Sequence, residues 1–377
     1  MSAAMTCREM NLRIFQKQPI PHVLFQPRIE PWVDLSIRKG TFPPAMAGLE
    51  MRDVYKHLGL SMRYIQYFTG QPDPVQRSFS RRVKIHSAAD ARGGMQVFDT
   101  PYGELVTRFQ AAGEAGCRIV DFPVHGPEDL RKLQWLYENT LFSYNQDNFE
   151  KGAAYLGDLG EPQFFLPRSP YQSLALDWMK FEQFAIALME DPGQFESVIK
   201  AIDASYDPLF SQLSEASGPN VLNFGENIDA QLLSPRFFET YHIPFYQKRA
   251  EQLRKGGKFT HAHFDGSLKA ILKYLRHLPF DGIEALTAAP MGDVTLEQIK
   301  ENLGDKILLD GIPAVLFLPP FTLEDIQACV EKVVKLFSPG LVLGISDEIP
   351  MACGPEAIKS LEWIRDYCRS TKHPSFH

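Results

Sequence analysis

The chain has 377 residues, enough to bury a large core in one α/β domain or in two smaller ones. Hydrophobic residues make up 44% and charged residues 23%, the formal charge is −7, and no dense run of lysine and arginine occurs. This composition is typical of globular proteins and argues against nucleic-acid binding through a basic surface. No stretch approaches a membrane span and the N-terminus lacks a secretory apolar core, so we expect a cytoplasmic protein that binds no membrane.

Cysteine use limits the kind of metal site that the chain could build. The five cysteines are scattered, without a C-x-x-C motif. This spacing argues against a disulfide framework and against an all-cysteine zinc site. Any bound metal would therefore need mostly oxygen and nitrogen ligands.

The N-terminal half shows an irregular pattern. Residues 21–32 resemble a strand with a charged end, and 50–60 are typical of a helix. Residues 79–110 alternate like antiparallel strands, with glycine and proline turns at 93–94 and 101–103. We therefore predict an N-terminal extension over 1–20 and an antiparallel insertion over 78–125. A long helical tract is predicted over roughly 171–215.

The C-terminal half alternates short apolar runs with amphipathic stretches. Strands are predicted over 220–227, 258–265, 282–290, 306–314 and 341–350, and helices over 234–257, 266–279, 295–305 and 322–338. This rhythm is typical of βα units and a parallel sheet. The fold class that fits best is a (β/α)8 TIM barrel, in a single domain over 1–377, and a doubly wound sheet fits second.

In such a barrel, functional side chains lie where the strands end, at the C-terminal face. Ionisable and polar residues stand at these predicted strand ends: Arg28, Glu30, Glu226, His263, Asp265, Glu284, Thr287, Asp310, Asp347 and Glu348. Each one alone could be a helix cap or an ordinary rim residue. Their clustering at one face nevertheless predicts an active site there.

The stretch 256–270, GGKFTHAHFDGSLKA, has the strongest chemical pattern. Because side chains alternate along a strand, His261, His263 and Asp265 are expected to share one face. Neighbours at i and i+2 lie about 6–7 Å apart, close enough to reach one ion. His261 lies one step deeper and is better explained as a buried barrel histidine or as a residue that orients a ligand.

The ordered motifs SPRFF, HFDGSLKAIL, GIEALTAAPMGD, KILLDGIPA and GISDEIP resemble the uroporphyrinogen decarboxylase superfamily. The resemblance covers about 200–365 well and the N-terminal half loosely. It implies a (β/α)8 barrel and one of two activities. One branch decarboxylates a porphyrinogen without a metal, and the other comprises zinc-dependent methyltransferases that serve corrinoid proteins.

The methyltransferase branch usually has His-x-Cys-Gly after one strand and a further cysteine near the last strand. By this resemblance His263 matches the histidine, Asp265 replaces the first cysteine, and Asp347 stands where the second is expected. The resemblance therefore implies a metal site at these three residues, with zinc as the expected ion, although a metal-free polar cluster also fits. A ligand set of one histidine and two carboxylates leaves more positive charge on the metal than thiolates do, which favours polarising an oxygen.

We therefore expect an enzyme that takes a methyl group from a small methylated compound, in particular a methoxylated aromatic one, and passes it to a corrinoid protein. The chain has no D-x-H-x-x-G stretch for cobalamin, so the cobalamin would be carried by that separate partner. A homodimer is expected by resemblance only. The alternative is uroporphyrinogen decarboxylase or a related metal-free polycarboxylate decarboxylase, which predicts an arginine-rich mouth.

The remaining candidate residues receive roles around this site. Glu226 and Asp310 are predicted to be catalytic, although Glu226 could also be a fourth ligand and Asp310 could orient a ligand or cap a loop. Arg28, Glu30 and Thr287 are predicted to bind substrate. Glu284 and Asp293 are more simply explained as structural, since Asp293 precedes a predicted helix where a carboxylate is favoured.

Overall fold

The computed structural model describes residues 4–113, 117–230 and 233–376, which form two compact units. The first unit consists of Met1–Pro74, Gln146–Leu166 and Ala216–His377, and the second of Val75–Asn145 and Pro167–Glu215. Compact units are not the same as independently folding domains, so a single domain over 1–377 stays a prediction.

Six parallel strands form the sheet of the first unit. In chain order they are β7 (Phe165–Leu166), β8 (Val221–Phe224), β9 (Phe259–His263), β10 (Gly282–Glu284), β11 (Ile307–Pro313) and β12 (Leu341–Ser346). Each strand pairs with the next one along the chain, so their order in the sheet follows their order in the sequence. The residues of β8, β10, β11 and β12 are all buried, as expected for a parallel sheet covered on both faces.

Two short segments complete the ring. The Gln26 amide donates to the Leu343 carbonyl (2.7 Å), which joins the segment around Phe25 to β12. The Ser61 amide donates to the Phe25 carbonyl (3.2 Å), and the Ile65 amide to the Gln163 carbonyl (3.0 Å). Residues near 25 and near 64 thus take the places of the first two strands. The first unit is therefore the predicted eight-stranded parallel barrel.

Helices surround this barrel. They are α1 (Cys7–Phe15), α2 (Glu30–Lys39), α3 (Met51–Leu58), α5 (Gln146–Leu156), α10 (Pro235–Phe237), α11 (Ile243–Lys255), α12 (Leu296–Leu303), α13 (Leu323–Phe337) and α14 (Ala357–Ser370). Capping boxes begin α1 at Thr6, α12 at Thr295 and α13 at Thr322. The helix predicted over 266–279 is replaced by a 3-10 helix at Leu272–His277. The Asp293 carboxylate accepts the backbone N–H groups of Leu268 and Lys269, ahead of this 3-10 helix.

The second unit contains the antiparallel strands. They are β1 (Val75–Phe79), β2 (Lys84–Asp90), β3 (Gly93–Thr100), β4 (Gly103–Ala111), β5 (Cys117–Asp121) and β6 (Thr140–Tyr144). Strands β2 to β5 form a meander and β1 pairs with β6, so the predicted β insertion is part of this unit. Its helices are α4 (Pro127–Glu138), α6 (Pro170–Ser173), α7 (Phe181–Glu190), α8 (Pro192–Ser205) and α9 (Asp207–Glu215).

Helix α1 packs against the barrel strands through its apolar face. Met10, Ile14 and Phe15 are buried in one cluster with residues of β8, β11 and β12, including Val221 and Leu309. The Phe15 ring lies 5.9 Å from that of Phe259 and 6.2 Å from that of His261, measured between centroids. Helix α1, which lies within the predicted N-terminal extension, is therefore packed into the barrel core.

Replacing Phe15 by alanine is expected to lower the free energy of unfolding by about 3–5 kcal/mol, because it leaves a cavity in this cluster. Urea unfolding followed by circular dichroism measures the change. The same substitution at Phe68, which is 45% exposed, serves as the control and should have little effect. A loss as small as that of the control would mean that α1 does not support the barrel core.

Candidate metal centre

Three strands of the barrel deliver the residues of the candidate site. His263 is the last residue of β9, Asp265 follows it by two residues, and Asp347 directly follows β12. Strand β10, between β9 and β11 in the sheet, ends in Glu284. All four side chains therefore stand at the C-terminal ends of parallel strands, where barrel enzymes place their active sites.

His263, Asp265 and Asp347 come together as a triad. Each offers one ligand atom, and these atoms lie within 4.8 Å of one another. The Nε2 atom of His263 is 3.8 Å from Oδ2 of Asp265 and 3.7 Å from Oδ1 of Asp347. Ligand atoms of a tetrahedral zinc ion bonded at about 2.0–2.1 Å are about 3.3 Å apart, so a small closure of the triad would suit zinc.

Glu284 fixes the orientation of the histidine. Its Oε1 atom is 2.8 Å from Nδ1 of His263, which leaves Nε2 facing the two aspartates. The hydroxyl of Tyr64 and the amide of Asn223 also donate to this carboxylate. Burial alone would raise the pKa of Glu284, but Arg63 and the two histidines outweigh it and hold the pKa well below its usual range. A carboxylate behind the ring is the usual companion of a metal-binding histidine.

Arg63 lies beneath the triad with two carboxylates. It is 1% exposed, and its guanidinium contacts Oε2 of Glu284 and Oδ1 of Asp310, each at 2.7 Å. Its Nε donates to the side-chain carbonyl of Gln26 (3.1 Å). These contacts satisfy a buried positive charge that would otherwise be costly.

Arg28 binds the two acidic residues after β12. Its Nη1 is 2.5 Å from Oδ1 of Asp347, and its Nη2 is 3.0 Å from Oε2 of Glu348. Tyr67 donates to the same Glu348 oxygen (2.9 Å), and its ring lies 5.2 Å from the Arg28 guanidinium. Arg28 thus holds Asp347 beside the histidine.

The electrostatics of the triad suit a cation. Burial would lower the pKa of His263, but its interactions with Asp265 and Glu284 and the charge of Asp347 outweigh this and raise the pKa to about 10. The same carboxylates that favour a proton on this ring would favour a metal ion in its place. The donor set of one imidazole and two carboxylates, with an orienting carboxylate behind the ring, therefore fits zinc.

The other predicted residues have different positions. Asp310 is fully buried and bound to Arg63, and Glu30 is fully buried at the start of α2. The Thr287 hydroxyl donates to the backbone carbonyls of Asp265 (2.9 Å) and Ala285 (3.0 Å), so it supports the loop that carries Asp265. Glu226 is buried and lies outside the triad. Their catalytic and substrate-binding roles stay predictions.

Sequence reasoning missed several residues of the site. Arg63, Tyr64 and Asn223 were not singled out, and Glu284 was assigned a structural role although it binds His263 directly. The segment 61–65 gave no clear strand signal because it carries an arginine at a core position. The available signal was the alternation of polar Ser61 and Arg63 with apolar Met62 and Tyr64.

Burial gives Glu30 a measurable pH dependence. Desolvation raises the pKa of this carboxyl group from 4.5 to about 7. A carboxyl whose pKa is higher in the folded state adds stability below pH 4.5, and this contribution is lost as the pH rises through about 7.

Glu30→Gln should therefore gain stability relative to the wild type as the pH rises from 5 to 8, by up to about 3 kcal/mol. Urea unfolding of both proteins at several pH values measures this difference. Glu362→Gln, at an exposed position of α14, is the control and should show no such trend. A constant difference between Glu30→Gln and the wild type across this range would contradict the raised pKa.

The comparisons with known proteins agree with this architecture. Six parallel strands and two short bridged segments, with a polar cluster at the C-terminal ends of the strands, define a (β/α)8 barrel. The family model of uroporphyrinogen decarboxylase matches residues 172–366, a little over half of the chain. The chain therefore belongs to the uroporphyrinogen decarboxylase family. No curated protein sequence matches it.

One solved structure shows the same fold. A methyltransferase from Methanosarcina mazei is similar with a TM-score of 0.59 and 16% identity, over 96% of this chain and 99% of that one. A Shewanella methionine synthase described as B12-independent aligns with a TM-score of 0.39 and 11% identity, over 98% of this chain and 95% of its own. None of the described helices is both long and apolar enough to cross a membrane.

Proposed function

We propose that this protein is a zinc-dependent methyltransferase that takes a methyl group from a small methoxylated aromatic compound and passes it to a corrinoid protein. The observation that carries the proposal is the triad of His263, Asp265 and Asp347, whose ligand atoms lie within 4.8 Å of one another. These three residues would hold the metal. When bound, zinc would supply Lewis acidity that stabilises the negative charge left on the substrate oxygen.

The residues around the triad would prepare it for this role. Glu284 accepts from Nδ1 of His263, which would leave the lone pair of Nε2 available to a metal ion. Arg28 neutralises part of the acidic charge by pairing with Asp347 and Glu348. In the overall transfer the methyl–oxygen bond breaks with its electron pair left on oxygen, and the reduced corrinoid supplies the pair for the new bond. The oxygen anion then takes a proton from water.

Aromatic side chains next to Arg28 support an aromatic substrate. The Tyr64 and Phe165 rings are stacked with centroids 4.2 Å apart, and the Tyr67 ring meets Phe165 edge-on at 6.0 Å. Tyr67 and Phe165 are only half-buried, so their rings can pack against a ligand. This wall is consistent with a flat ring held beside the triad.

Decarboxylation of a polycarboxylate has weaker support. That reaction needs free cationic groups at the mouth to bind several carboxylates. Here Arg28 is paired with Asp347 and Glu348, and Arg63 with Glu284 and Asp310. Both guanidinium groups are therefore already paired with carboxylates of the protein, and not with those of a substrate.

Metal content is the first test. Protein purified from zinc-supplemented cells should contain about one zinc per chain, and His263→Ala and Asp265→Ala should lose it. His86→Ala is the matched control, because His86 and Asp99 form an exposed pair (3.0 Å) in the second unit. Wild-type protein that folds normally but binds no zinc would refute the proposal.

Methyl transfer is the second test. The protein is mixed with 2-methoxyphenol and chemically reduced free cobalamin, and formation of methylcobalamin is followed by its absorbance. Zinc-loaded wild type should form methylcobalamin faster than His263→Ala and faster than the zinc-free protein. If no methoxylated aromatic compound reacts while zinc is bound, the proposed substrate class is wrong.

A further inference from the structure

A chain of fully buried polar side chains leads from helix α1 to the site. The side-chain amides of Asn11 and Gln163 are 3.1 Å apart, and the Gln163 carbonyl oxygen is 2.8 Å from Nε2 of His261. Nδ1 of His261 is 3.3 Å from Oε2 of Glu284, whose other oxygen binds His263. Asn11, Gln163, His261 and Glu284 have no exposed surface. A buried polar network of this kind is stable only when each member has a partner.

Within the part of the chain that the structure describes, two buried nitrogen atoms of this network lack a hydrogen-bond partner. They are Nδ2 of Asn11 and Nδ1 of His261. His261 is fully buried, and burial favours a neutral ring with one N–H over a charged one. If that hydrogen is on Nε2 and points to Gln163, the lone pair of Nδ1 faces the Glu284 carboxylate, which is unfavourable.

With the oxygen and nitrogen of both amides exchanged, Nδ2 of Asn11 and Nδ1 of His261 both gain partners. Oδ1 of Asn11 then takes the place without a partner, which is less costly for a carbonyl oxygen than for an N–H group. An amide keeps its shape when its oxygen and nitrogen exchange places. Nδ2 of Asn11 then donates to the oxygen of Gln163, the nitrogen of Gln163 donates to Nε2 of His261, and Nδ1–H of His261 donates to Glu284. Gln26, whose Nε2 is 3.5 Å from Asn11, keeps its bonds to the Ser61 hydroxyl (2.9 Å) and the Met62 carbonyl (3.1 Å).

We infer that Asn11 is a positioning residue for the metal centre, at the start of a one-way hydrogen-bond chain through Gln163 and His261 to Glu284. Each group donates to the next, and the chain ends on the carboxylate that orients His263. Helix α1 thereby fixes the His261 tautomer and holds Glu284 in the position that presents Nε2 of His263. The link to metal binding rests on the proposed function, whereas the tautomer does not.

The tautomer can be measured directly. Protein labelled with nitrogen-15 in histidine is studied by long-range proton–nitrogen NMR, with His261→Gln used to assign the His261 signals. In the wild type we expect His261 to be protonated at Nδ1 and not at Nε2. Asn11→Asp has the same shape but cannot donate, so it should move the proton to Nε2. Protonation of Nε2 in the wild type would overturn the inference.

Zinc affinity, measured by competition with a chelator, tests the effect on the site. Asn11→Asp and Asn11→Leu should weaken zinc binding about tenfold, the lower end of what loss of an outer partner produces. Ile14→Val, in the same helix and in the hydrophobic cluster, is the control and should bind zinc like the wild type.

The outcomes separate the two ideas. If the wild type binds no zinc, the proposed function fails, and the NMR result still decides the direction of the chain. If the wild type binds zinc and both Asn11 variants match Ile14→Val, the positioning role fails while the metal site stands. Asn11→Leu covers the case in which the buried carboxylate of Asn11→Asp prevents folding.

Discussion

Replacing Arg63 by methionine should lower the free energy of unfolding by about 3–5 kcal/mol, the usual result of breaking a buried ion pair from one side. The reason is that Glu284 and Asp310, both fully buried, would each lose a guanidinium contact of 2.7 Å. Methionine fills a similar volume, so the effect comes from unpaired charge more than from a cavity. Urea unfolding at neutral pH measures it.

A double substitution tests this explanation. The double variant Arg63→Met, Asp310→Asn also removes the charge of Asp310, which Arg63→Met alone leaves unpaired. It should therefore recover part of the lost free energy of unfolding, so the effects of the two substitutions should not be additive. The exposed pair of Arg92 and Asp90 (3.1 Å) provides the control, since Arg92→Met should leave stability almost unchanged. A small effect of Arg63→Met, equal to that of the control, would mean that water or a shifted side chain replaces the guanidinium.

The barrel was predictable where the sequence pattern is strong. The strands after residue 215 are apolar runs, and β8 to β12 fall inside the predicted ranges. The segment around Phe25 lies inside the strand predicted over 21–32, whereas the second segment, near Tyr64, was hard to predict because it is short and joined by few backbone hydrogen bonds. Arg63 also broke the apolar pattern of the second one. Its burial depends on Glu284, more than two hundred residues later, and local reasoning cannot find such a partner.

The site was likewise predictable where a local sequence pattern exists, and not where it depends on long-range contacts. Strand alternation places His261 and His263 on one face, and the structure agrees that both face Glu284. Asp347 entered through the resemblance, and the triad that it completes is present. The role of Glu284 could not be read from GIEALTAAP, because only the pairing of β9 with β10, which sets His263 opposite Glu284, brings the two together. Long-range pairing therefore decides which polar residues come together at the candidate site.

The two carboxylates of the triad, in place of thiolates, predict how tightly the site binds metal and how strongly that metal polarises an oxygen. Thiolates are soft ligands that bind zinc tightly and donate charge to it, whereas carboxylates bind less tightly and leave it more electrophilic. Compared with two cysteines, Asp265 and Asp347 should therefore bind the metal less tightly but let it polarise a substrate oxygen more strongly. If so, affinity and activity should respond in opposite directions when the ligand atoms change.

The double variant Asp265→Cys, Asp347→Cys should accordingly bind zinc at least about tenfold more tightly than the wild type, because His263 then shares the ion with two thiolates. Its rate of methyl transfer from a methoxylated aromatic compound should fall, since a less electrophilic zinc stabilises the oxygen anion less. Chelator competition measures the affinity, and the methylcobalamin assay measures the rate.

Asp121→Cys is the matched control for an added thiol beside a histidine, since Asp121 and His125 form an exposed pair (3.9 Å) in the second unit. It should change neither the affinity of the main site nor the rate. If the double variant binds zinc more tightly and transfers methyl groups as fast as the wild type, the carboxylates are not there to keep the metal electrophilic. If it binds zinc less tightly, the three side chains do not meet at one ion, and the triad as a metal site is wrong.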